Sequence, residues 1–216
     1  MAYNFINATG SATDYIQGTA SLFTYPFTIN FWFYPTIDAI GSLAMFVLHN
    51  TSDAQRHVIQ VNTGTTRLVY NAFTTAVALA TSTTSYTTNA WNMATAVGTS
   101  ATSRTIYLNG GSSATNTTSR AITTPTRWLV GAIYNGSEII PAYEGRICEI
   151  GIWNAVLSAA DIASLYRDQK ASLIKPQNLK VYVPLIRDIK DEREATSSIS
   201  STISDTTIES HIRRYG

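Results

Sequence analysis

The sequence predicts an all-β fold, an antiparallel sandwich of two sheets with one short α-helix and a C-terminal arm. The first observation is the segment 27–35, FTINFWFYP, in which apolar and other side chains alternate. The second is the recurrence of short alternating segments between clusters of Gly, Asn, Ser and Thr, which is typical of sandwiches and barrels. The third is that only one segment has a well-marked helical periodicity.

Segment 27–35 predicts a strand at the centre of the sheet. Successive side chains of a strand point to opposite faces, so every second residue shares a face. One face would hold Phe27, Ile29, Phe31 and Phe33. The other would hold Thr28, Asn30, Trp32 and Tyr34. We expect the phenylalanine face to line the interior between two stacked sheets.

Further alternating segments predict the neighbouring strands. They are residues 43–49, 56–61, 67–73, 91–97, 104–108 and 127–133. Asn109-Gly110 is the strongest hairpin signal, because a type I′ turn needs positive φ at both central positions. The runs TSTTSYTT (81–88) and SSATNTTSR (112–120) predict exposed loops or edge strands, kept extended by β-branched Thr.

The helix is predicted over 158–169. Ser158 would cap it, and Asp161, three residues later, would complete a capping box. Ile162, Leu165 and Tyr166 form an apolar stripe at helical spacing, which should pack against the sandwich.

A final alternating strand, LKVYVPL (179–185), completes a predicted domain of residues 1–185. Residues 186–216 form a C-terminal arm in which an acidic and basic cluster precedes a Ser/Thr/Ile stretch. That stretch is too polar to bury much surface alone, so we expect a neighbour to order the arm.

Composition argues against several classes of partner. The 216 residues have a net charge of +1 and only 13% charged residues, so a nucleic-acid-binding surface is not expected. No segment has the apolar length of a membrane span, and the first residues lack a secretory signal. We therefore expect a soluble protein that is made in a cytoplasm. Cys148 is the only cysteine, and its strand context, RICEIGIW, predicts a small buried apolar residue.

The residues suited to catalysis or metal binding are scattered. A retaining glycosidase needs two carboxylates about 5 Å apart, and the nearest candidates, Glu144 and Glu149, would point to opposite faces of one strand. The protein is therefore predicted not to be an enzyme. The three histidines, His49, His57 and His211, lack the spacing of a zinc site, and no cofactor is expected.

Three blocks, in their order, resemble the concanavalin A-like lectin/glucanase superfamily, in particular its laminin G-like jelly rolls. The blocks are AYNFINATGSATDYIQ with the following FTINFWFYP, then WNMATAVGTSATSRTIYLNGG (91–111), then YEGRICEIGIWNAVLSAADIASLYRD (143–168). The resemblance implies a jelly-roll sandwich. It also raises two ligand hypotheses, calcium and carbohydrate.

The calcium hypothesis rests on Asp14, which matches an aspartate that many relatives use as a ligand. Calcium takes 6 to 8 oxygen ligands, and the first half of the chain offers only Asp14, Asp38 and Asp53. A structural role, in which Asp14 satisfies turn amides, is favoured. For carbohydrate, the resemblance implies stacking on an exposed aromatic side chain. Trp32 and Tyr34 are candidates, although packing in the core is favoured for Trp32.

The end of the chain, HIRRYG (211–216), is similar to the C-terminus of laminin G-like proteins of tailed bacteriophages. That resemblance implies a structural protein of the virion, most simply a capsid decoration protein in a homo-oligomer. Its partners would be the major capsid protein or fibre and tail subunits, and Arg213, Arg214 and Tyr215 would contact them, since Arg and Tyr are favoured at interfaces. One alternative is a glycan-binding module of a head or tail fibre that attaches to the host. An endoglycanase is the third hypothesis.

Overall fold

A computed structural model of the chain describes residues 2–5, 14–19, 24–36, 42–50, 55–62, 64–185 and 199–202. Within these residues, two seven-stranded sheets and a separate two-stranded hairpin account for the strands, and all pairings are antiparallel. The predicted all-β jelly-roll sandwich is confirmed.

The first sheet contains the central strand of the prediction. Its strands, in spatial order, are β1 (Tyr3–Phe5), β14 (Gly145–Trp153), β3 (Phe27–Pro35), β8 (Asn92–Ser100), β9 (Ser103–Leu108) and β10 (Gly111–Asn116). A seventh strand, β15 (Leu179–Val183), pairs with the C-terminal half of β14.

The second sheet stacks on the first. Its strands, in spatial order, are β16 (Ile199–Thr202), β2 (Tyr15–Thr19), β11 (Arg127–Val130), β4 (Ser42–His49), β5 (Arg56–Asn62), β6 (Arg67–Phe73) and β7 (Val77–Ser85). Most of the predicted strands end within one to three residues of these bounds.

The core lies between the two sheets, as predicted from the alternation of β3. Phe27, Ile29, Phe31 and Phe33 are all buried there. Phe31 stacks on Phe46 of the second sheet with ring centroids 6.0 Å apart, and Phe46 stacks in turn on Trp128 at 6.2 Å. The two sheets are thus joined through aromatic contacts near their centres.

The helix α1 spans Ala159–Tyr166. The Asp161 backbone N–H donates to Ser158 Oγ (3.2 Å), and the Ser158 N–H donates to Asp161 Oδ2 (2.8 Å), so the predicted capping box is confirmed. The helix ends three residues before the predicted position 169, because Asp168 has a φ of 70°. Ile162 and Leu165 are buried, whereas Tyr166 remains 42% exposed. A short 3₁₀ helix, Ala171–Leu173, follows before β15.

The turn between β9 and β10 is the predicted Asn109-Gly110 hairpin, with φ values of 54° and 75°. Gly110 also lies against the helix. A Cβ atom at this position would be 2.8 Å from Tyr166 Cβ. Backbone conformation and close packing therefore both require glycine here.

The predicted strand 127–133 is wrong in one respect, because it is two strands. Gly131, with a φ of 79°, redirects the chain after β11. The next strand, β12 (Ala132–Tyr134), leaves the second sheet and pairs with β13 (Ile139–Pro141). This β12–β13 hairpin, which we call the flap, covers part of the outer face of the second sheet. Beneath it lie Ala44, Val47, Val58 and Leu129.

The Thr/Ser-rich runs contribute to edge strands, which is one of the two alternatives that the sequence predicted. β7 ends the second sheet and β10 ends the first. The two edges meet where Ser112 Oγ lies 2.6 Å from Thr84 Oγ1 and 3.1 Å from Thr83 Oγ1. Asn116 Nδ2 also donates to the Leu79 carbonyl at 3.0 Å. Hydroxyl and amide groups therefore close this side of the sandwich.

Four residues of the C-terminal arm are part of the fold. The strand β16 pairs with β2 at the edge of the second sheet. These four residues are ordered by pairing with the second sheet of the same chain, which is thus the neighbour that we expected for the arm. Cys148 is buried as predicted. None of the helices in the described ranges is long and apolar enough to cross a bilayer.

Candidate functional site

A row of four side chains crosses the outer face of the first sheet near the C-terminal end of β3. Asn4 of β1 pairs with Arg146 of β14, and Arg146 pairs with Tyr34 of β3. Trp91 continues the row, because it immediately precedes Asn92, the partner of Phe33. All four side chains are partly exposed. We call Asn4, Arg146, Tyr34 and Trp91 the aromatic row.

The side chains of the aromatic row contact one another. The Tyr34 and Trp91 rings meet edge to face, with centroids 5.6 Å apart and planes at 68°. The Arg146 guanidinium lies over the Tyr34 ring, 4.9 Å from its centroid. A guanidinium in this position is held by the negative face of the ring. The row thus combines two aromatic surfaces with a cation and an amide.

The Trp91 side chain projects from a loop that is fixed by hydrogen bonds. The Asn92 Oδ1 atom accepts from the Thr87 N–H (3.0 Å), and Asn92 Nδ2 donates to the Thr87 and Ala90 carbonyls (2.8 Å each). The Asn89 N–H donates to the Pro35 carbonyl at the end of β3 (2.9 Å). These bonds hold Trp91 beside Tyr34 before any ligand is present.

Trp32, the aromatic next to this row on the same face of β3, is covered by the helix. It is only 4% exposed, and Tyr166 stacks on it with centroids 5.7 Å apart. The packing role favoured for Trp32 is confirmed. Tyr34, the other candidate from the sequence, is only half-buried.

A second polar cluster lies inside the sandwich, between the sheets. His57 Nδ1 is 2.9 Å from the Tyr70 hydroxyl, and His57 Nε2 is 3.5 Å from the Tyr25 hydroxyl. Burial, together with the positive charge of Arg104, lowers the pKa of His57 to about 3. His57 is therefore neutral at pH 7, and its burial excludes it from contact with a ligand at the surface.

Arg104 closes this cluster at the end of the sandwich. It is fully buried. Its Nη1 donates to Asn116 Oδ1 and the Thr118 carbonyl (2.8 Å each), and its Nη2 donates to the Ala101 carbonyl (2.7 Å). These bonds fasten the segment after β10 across the end of the sheets. Arg104 therefore acts in the structure of the domain.

The acidic candidates do not form a catalytic pair in the structure. Glu149 is buried, and the Tyr182 hydroxyl donates to its Oε2 at 2.7 Å. Glu144 lies just before β14 and is half-buried. Asp14 is fully buried at the start of β2. Within the described ranges, no three His, Cys, Asp or Glu side chains are grouped closely enough to hold a metal ion.

Several predicted residues lie outside the described part of the chain. They are the interface candidates Arg213, Arg214 and Tyr215, the calcium candidates Asp38 and Asp53, and His211. Sequence reasoning also missed Asn4 and Arg146 as partners of Tyr34. Strand register places these residues side by side, and their separation along the chain gave no sign of it.

Comparisons with known proteins agree with this architecture. A laminin G-type family model, described as concanavalin A-like lectin/glucanases superfamily, matches residues 9–163. No curated protein sequence matches the chain.

Three solved structures show the same fold at low sequence identity. A native heptameric SAP-like pentraxin from Limulus polyphemus has a TM-score of 0.62 at 11% identity, covering 93% of this chain and 94% of its own. A putative carbohydrate binding protein from Bacteroides ovatus has a TM-score of 0.60 at 14% identity, and the match covers 96% of this chain and 61% of that protein. Domain 4 of AbnA, a GH43 extracellular arabinanase from Geobacillus stearothermophilus, was solved with arabinotriose. It has a TM-score of 0.54 at 13% identity, and the match covers 72% of this chain and 70% of that domain.

Proposed function

Because the chain belongs to the concanavalin A-like lectin/glucanases superfamily, we propose that it is a non-enzymatic, lectin-like protein that binds a glycan at the aromatic row. The observation that carries the proposal is the contact between two partly exposed rings, Tyr34 and Trp91, on the outer face of the first sheet. The partly exposed Trp91 indole, held by its edge-to-face contact with Tyr34, offers a flat apolar surface that suits one face of a sugar ring. Aromatic side chains also lose little conformational entropy on binding.

The polar members of the row suit the hydroxyl groups of a sugar. The guanidinium of Arg146 has five N–H donors in a rigid fork, and the Asn4 amide has both a donor and an acceptor. Because Tyr34 lies beneath Arg146, the guanidinium is already oriented before the ligand arrives. A hydroxyl-rich ligand would thus meet an aromatic surface and directional polar groups, which together fix its position.

The solved relatives support a carbohydrate as the ligand. One is described as a putative carbohydrate binding protein, and another was solved with arabinotriose. Binding without catalysis is favoured for this chain because hydrolysis needs two carboxylates facing one sugar. Of the two acidic candidates, Glu149 is buried in the core strand β14 and accepts a hydrogen bond from the Tyr182 hydroxyl.

A glycan array followed by calorimetry tests this proposal. We expect the wild-type protein to bind a defined set of glycans without cleaving them. Trp91→Ala should weaken binding by at least tenfold, about 1.4 kcal/mol. Trp91→Phe should restore part of the affinity.

Tyr107→Ala provides the matched control, because Tyr107 is a partly exposed aromatic residue on β9 of the same sheet, outside the aromatic row. This variant should bind as the wild type does. An array without any binding, or equal losses for Trp91→Ala and Tyr107→Ala, would refute the proposal.

A second candidate function, a structural or decoration protein of a bacteriophage virion, is favoured by the position of β16. This strand holds residues 199–202 against β2 at a sheet edge. The last 14 residues, 203–216, follow directly from it. A chain of that length can span at most about 50 Å. We therefore keep Arg213, Arg214 and Tyr215 as the proposed contacts with other virion proteins.

Cryo-electron microscopy of particles that contain the chain tests the virion role. We expect a homo-oligomer on the capsid, head fibre or tail surface, and loss of occupancy when Arg213, Arg214 and Tyr215 are changed together to Ala. The control changes Arg167 and Lys170, two exposed charges near the helix, to Ala. Particles without the chain, or equal occupancy with both variants, would contradict this role.

A further inference from the structure

Arginines from distant parts of the sequence meet on the outer face of the second sheet. Strand register places Arg127 of β11 beside His49 of β4, and His49 beside Arg56 of β5. Neighbouring strands are about 4.8 Å apart, so the Cα atoms of the two arginines are about 10 Å from each other. This face is turned away from the first sheet and from the aromatic row.

A third arginine lies at the end of the same row of residues. Arg56 pairs with Phe73 of β6, and Phe73 pairs with Val77 of β7. Arg120 reaches this edge from the segment after β10, because its Nη2 donates to the Val77 carbonyl (2.9 Å) and its Nε donates to the Ala76 carbonyl (3.0 Å). We call Arg127, Arg56 and Arg120 the arginine row.

The hydrogen bonds of Arg120 and Arg127 leave their positive charges uncompensated within the described residues. Arg120 donates to backbone carbonyls, including that of Ser119 at 2.8 Å. Arg127 donates from Nη1 to Gln17 Oε1 at 3.4 Å. All of these acceptors are neutral. Guanidinium groups match the geometry of carboxylate and sulfate oxygens, often with two parallel hydrogen bonds.

Two aromatic rings lie within the arginine row. The Arg56 guanidinium stacks on the Phe73 ring, 4.3 Å from its centroid. Tyr134 of the flap stacks on His49, between Arg127 and Arg56, with centroids 4.5 Å apart. Burial lowers the pKa of His49, the hydrogen bond with the Asn50 backbone opposes this, and the charges of Arg127 and Arg56 add to the lowering, which leaves the pKa at about 4. The imidazole therefore remains neutral at pH 7 and adds no charge to this surface.

We infer that the arginine row binds an acidic glycan, one that bears carboxylate or sulfate groups along its length. Charge complementarity supports this ligand, because separated guanidinium groups suit a polymer with spaced anionic groups. Three arginines and a net charge of +1 favour it over a nucleic acid, whose affinity rests on many phosphate contacts. This inference does not depend on the proposed function of the aromatic row, which lies on the other sheet.

Calorimetry with dextran sulfate, polygalacturonate and uncharged dextran tests the inference. We expect both acidic polymers to bind, with affinities that fall as salt is raised from 50 to 300 mM, because added ions screen exposed charges. The double variant Arg120→Gln/Arg127→Gln should weaken binding at least tenfold. The double variant Arg167→Gln/Lys170→Gln removes two exposed charges near the helix and should bind as the wild type does.

The single variant Arg127→Gln shows whether weaker binding comes from misfolding, because the Arg127 side chain is exposed and makes one long hydrogen bond, so its loss should not disturb the fold. It should fold as the wild type does and still weaken binding about threefold or more. Equal losses in the row and control variants, or uncharged dextran binding as tightly as dextran sulfate, would overturn the inference. So would a DNA duplex that binds the row more tightly than either acidic polymer. Trp91→Ala should leave binding of dextran sulfate unchanged, so this site and the aromatic row can fail separately.

Discussion

Tyr166 of the helix lies flat on Trp32 of the first sheet, with ring centroids 5.7 Å apart and planes at 16°. This contact attaches the helix to the sheet and turns a surface-facing indole into a buried one. We predict that Tyr166→Ala lowers the free energy of unfolding by about 1–2 kcal/mol, because it removes an aromatic pair and part of its buried area. Urea denaturation measures this loss.

The control for this prediction is Arg167→Ala, at the exposed position that directly follows the helix. It should change the free energy of unfolding by less than about 0.5 kcal/mol. Tyr166→Ala should also shift tryptophan fluorescence to longer wavelength, because Trp32 becomes accessible to water. Unchanged fluorescence together with unchanged stability would show that Tyr166 does not cover Trp32.

The capping box predicts a dependence of stability on pH. Burial alone would raise the pKa of Asp161, but hydrogen bonds from Ser158 and the nearby Lys175 together lower it below its usual value. The stabilisation is therefore complete above the pKa of the unfolded chain, about 3.9, and is lost as the pH falls through the lower pKa of the folded state.

Ser158→Ala tests the capping box by removing the hydroxyl that bonds Asp161. It should cost about 1 kcal/mol at pH 7 and less at pH 2.5, which lies below the pKa of the unfolded chain, where part of the stabilisation by the carboxylate is already lost. Urea denaturation at the two pH values measures both costs. The same cost at both would mean that the Asp161 carboxylate has no part in the cap.

Substitution of Arg104 should lower the free energy of unfolding more than most single substitutions in the domain. Arg104→Met keeps an unbranched apolar stem but removes the hydrogen bonds that the guanidinium donates to Asn116 Oδ1 and to the Thr118 and Ala101 carbonyls. A hydrogen bond to a charged group contributes about 1.5–3 kcal/mol, so a total loss of at least about 3 kcal/mol is expected. The measurement is the midpoint of urea unfolding. Arg127→Met, at an exposed position, should move that midpoint little, and comparable shifts would contradict the structural role of Arg104.

The low pKa of His57 predicts a second dependence of stability on pH, in a less acidic range. Its pKa falls from about 6.5 in the unfolded chain to about 3 in the folded protein, so the unfolded state binds more protons between these values. The free energy of unfolding should therefore decrease as the pH falls below 6.5, by up to about 1.4 kcal/mol per pH unit from this residue.

His57→Gln tests this effect, because glutamine keeps hydrogen-bonding groups near Tyr70 and Tyr25 but does not titrate. Its free energy of unfolding should depend less steeply on pH between 6.5 and 4 than that of the wild type. His49 contributes to the slope in both proteins, since its pKa is also low. Parallel pH profiles for the two proteins would mean that folding does not lower the pKa of His57.

The predictions that depended on local pattern were correct because their causes are local. The alternation of β3, the capping box and the Asn-Gly turn each involve side chains or φ angles within a few residues of one another. The break at Gly131 was missed because apolar residues continue on both sides of it, and only the left-handed conformation of one glycine separates β11 from the flap.

The candidate sites could be predicted only in part. Tyr34 was identified as a residue on the face opposite the phenylalanines, but its neighbours Arg146 and Asn4 reach it through strand register across distant segments. The arginine row has the same origin. A net charge of +1 spread along the sequence gave no sign that residues 56, 120 and 127 lie in one row on the outer face of a sheet. Register between distant strands is set by the whole fold, and composition does not contain it.

A crystal structure of the protein with the glycan that binds most tightly on the array tests the central claim most directly. The account predicts a sugar ring in contact with the Trp91 indole, with its hydroxyls within hydrogen-bonding distance of the Arg146 guanidinium or the Asn4 amide, and an intact glycosidic bond. A sugar bound elsewhere with the aromatic row empty, or a cleaved sugar beside a pair of carboxylates, would contradict it.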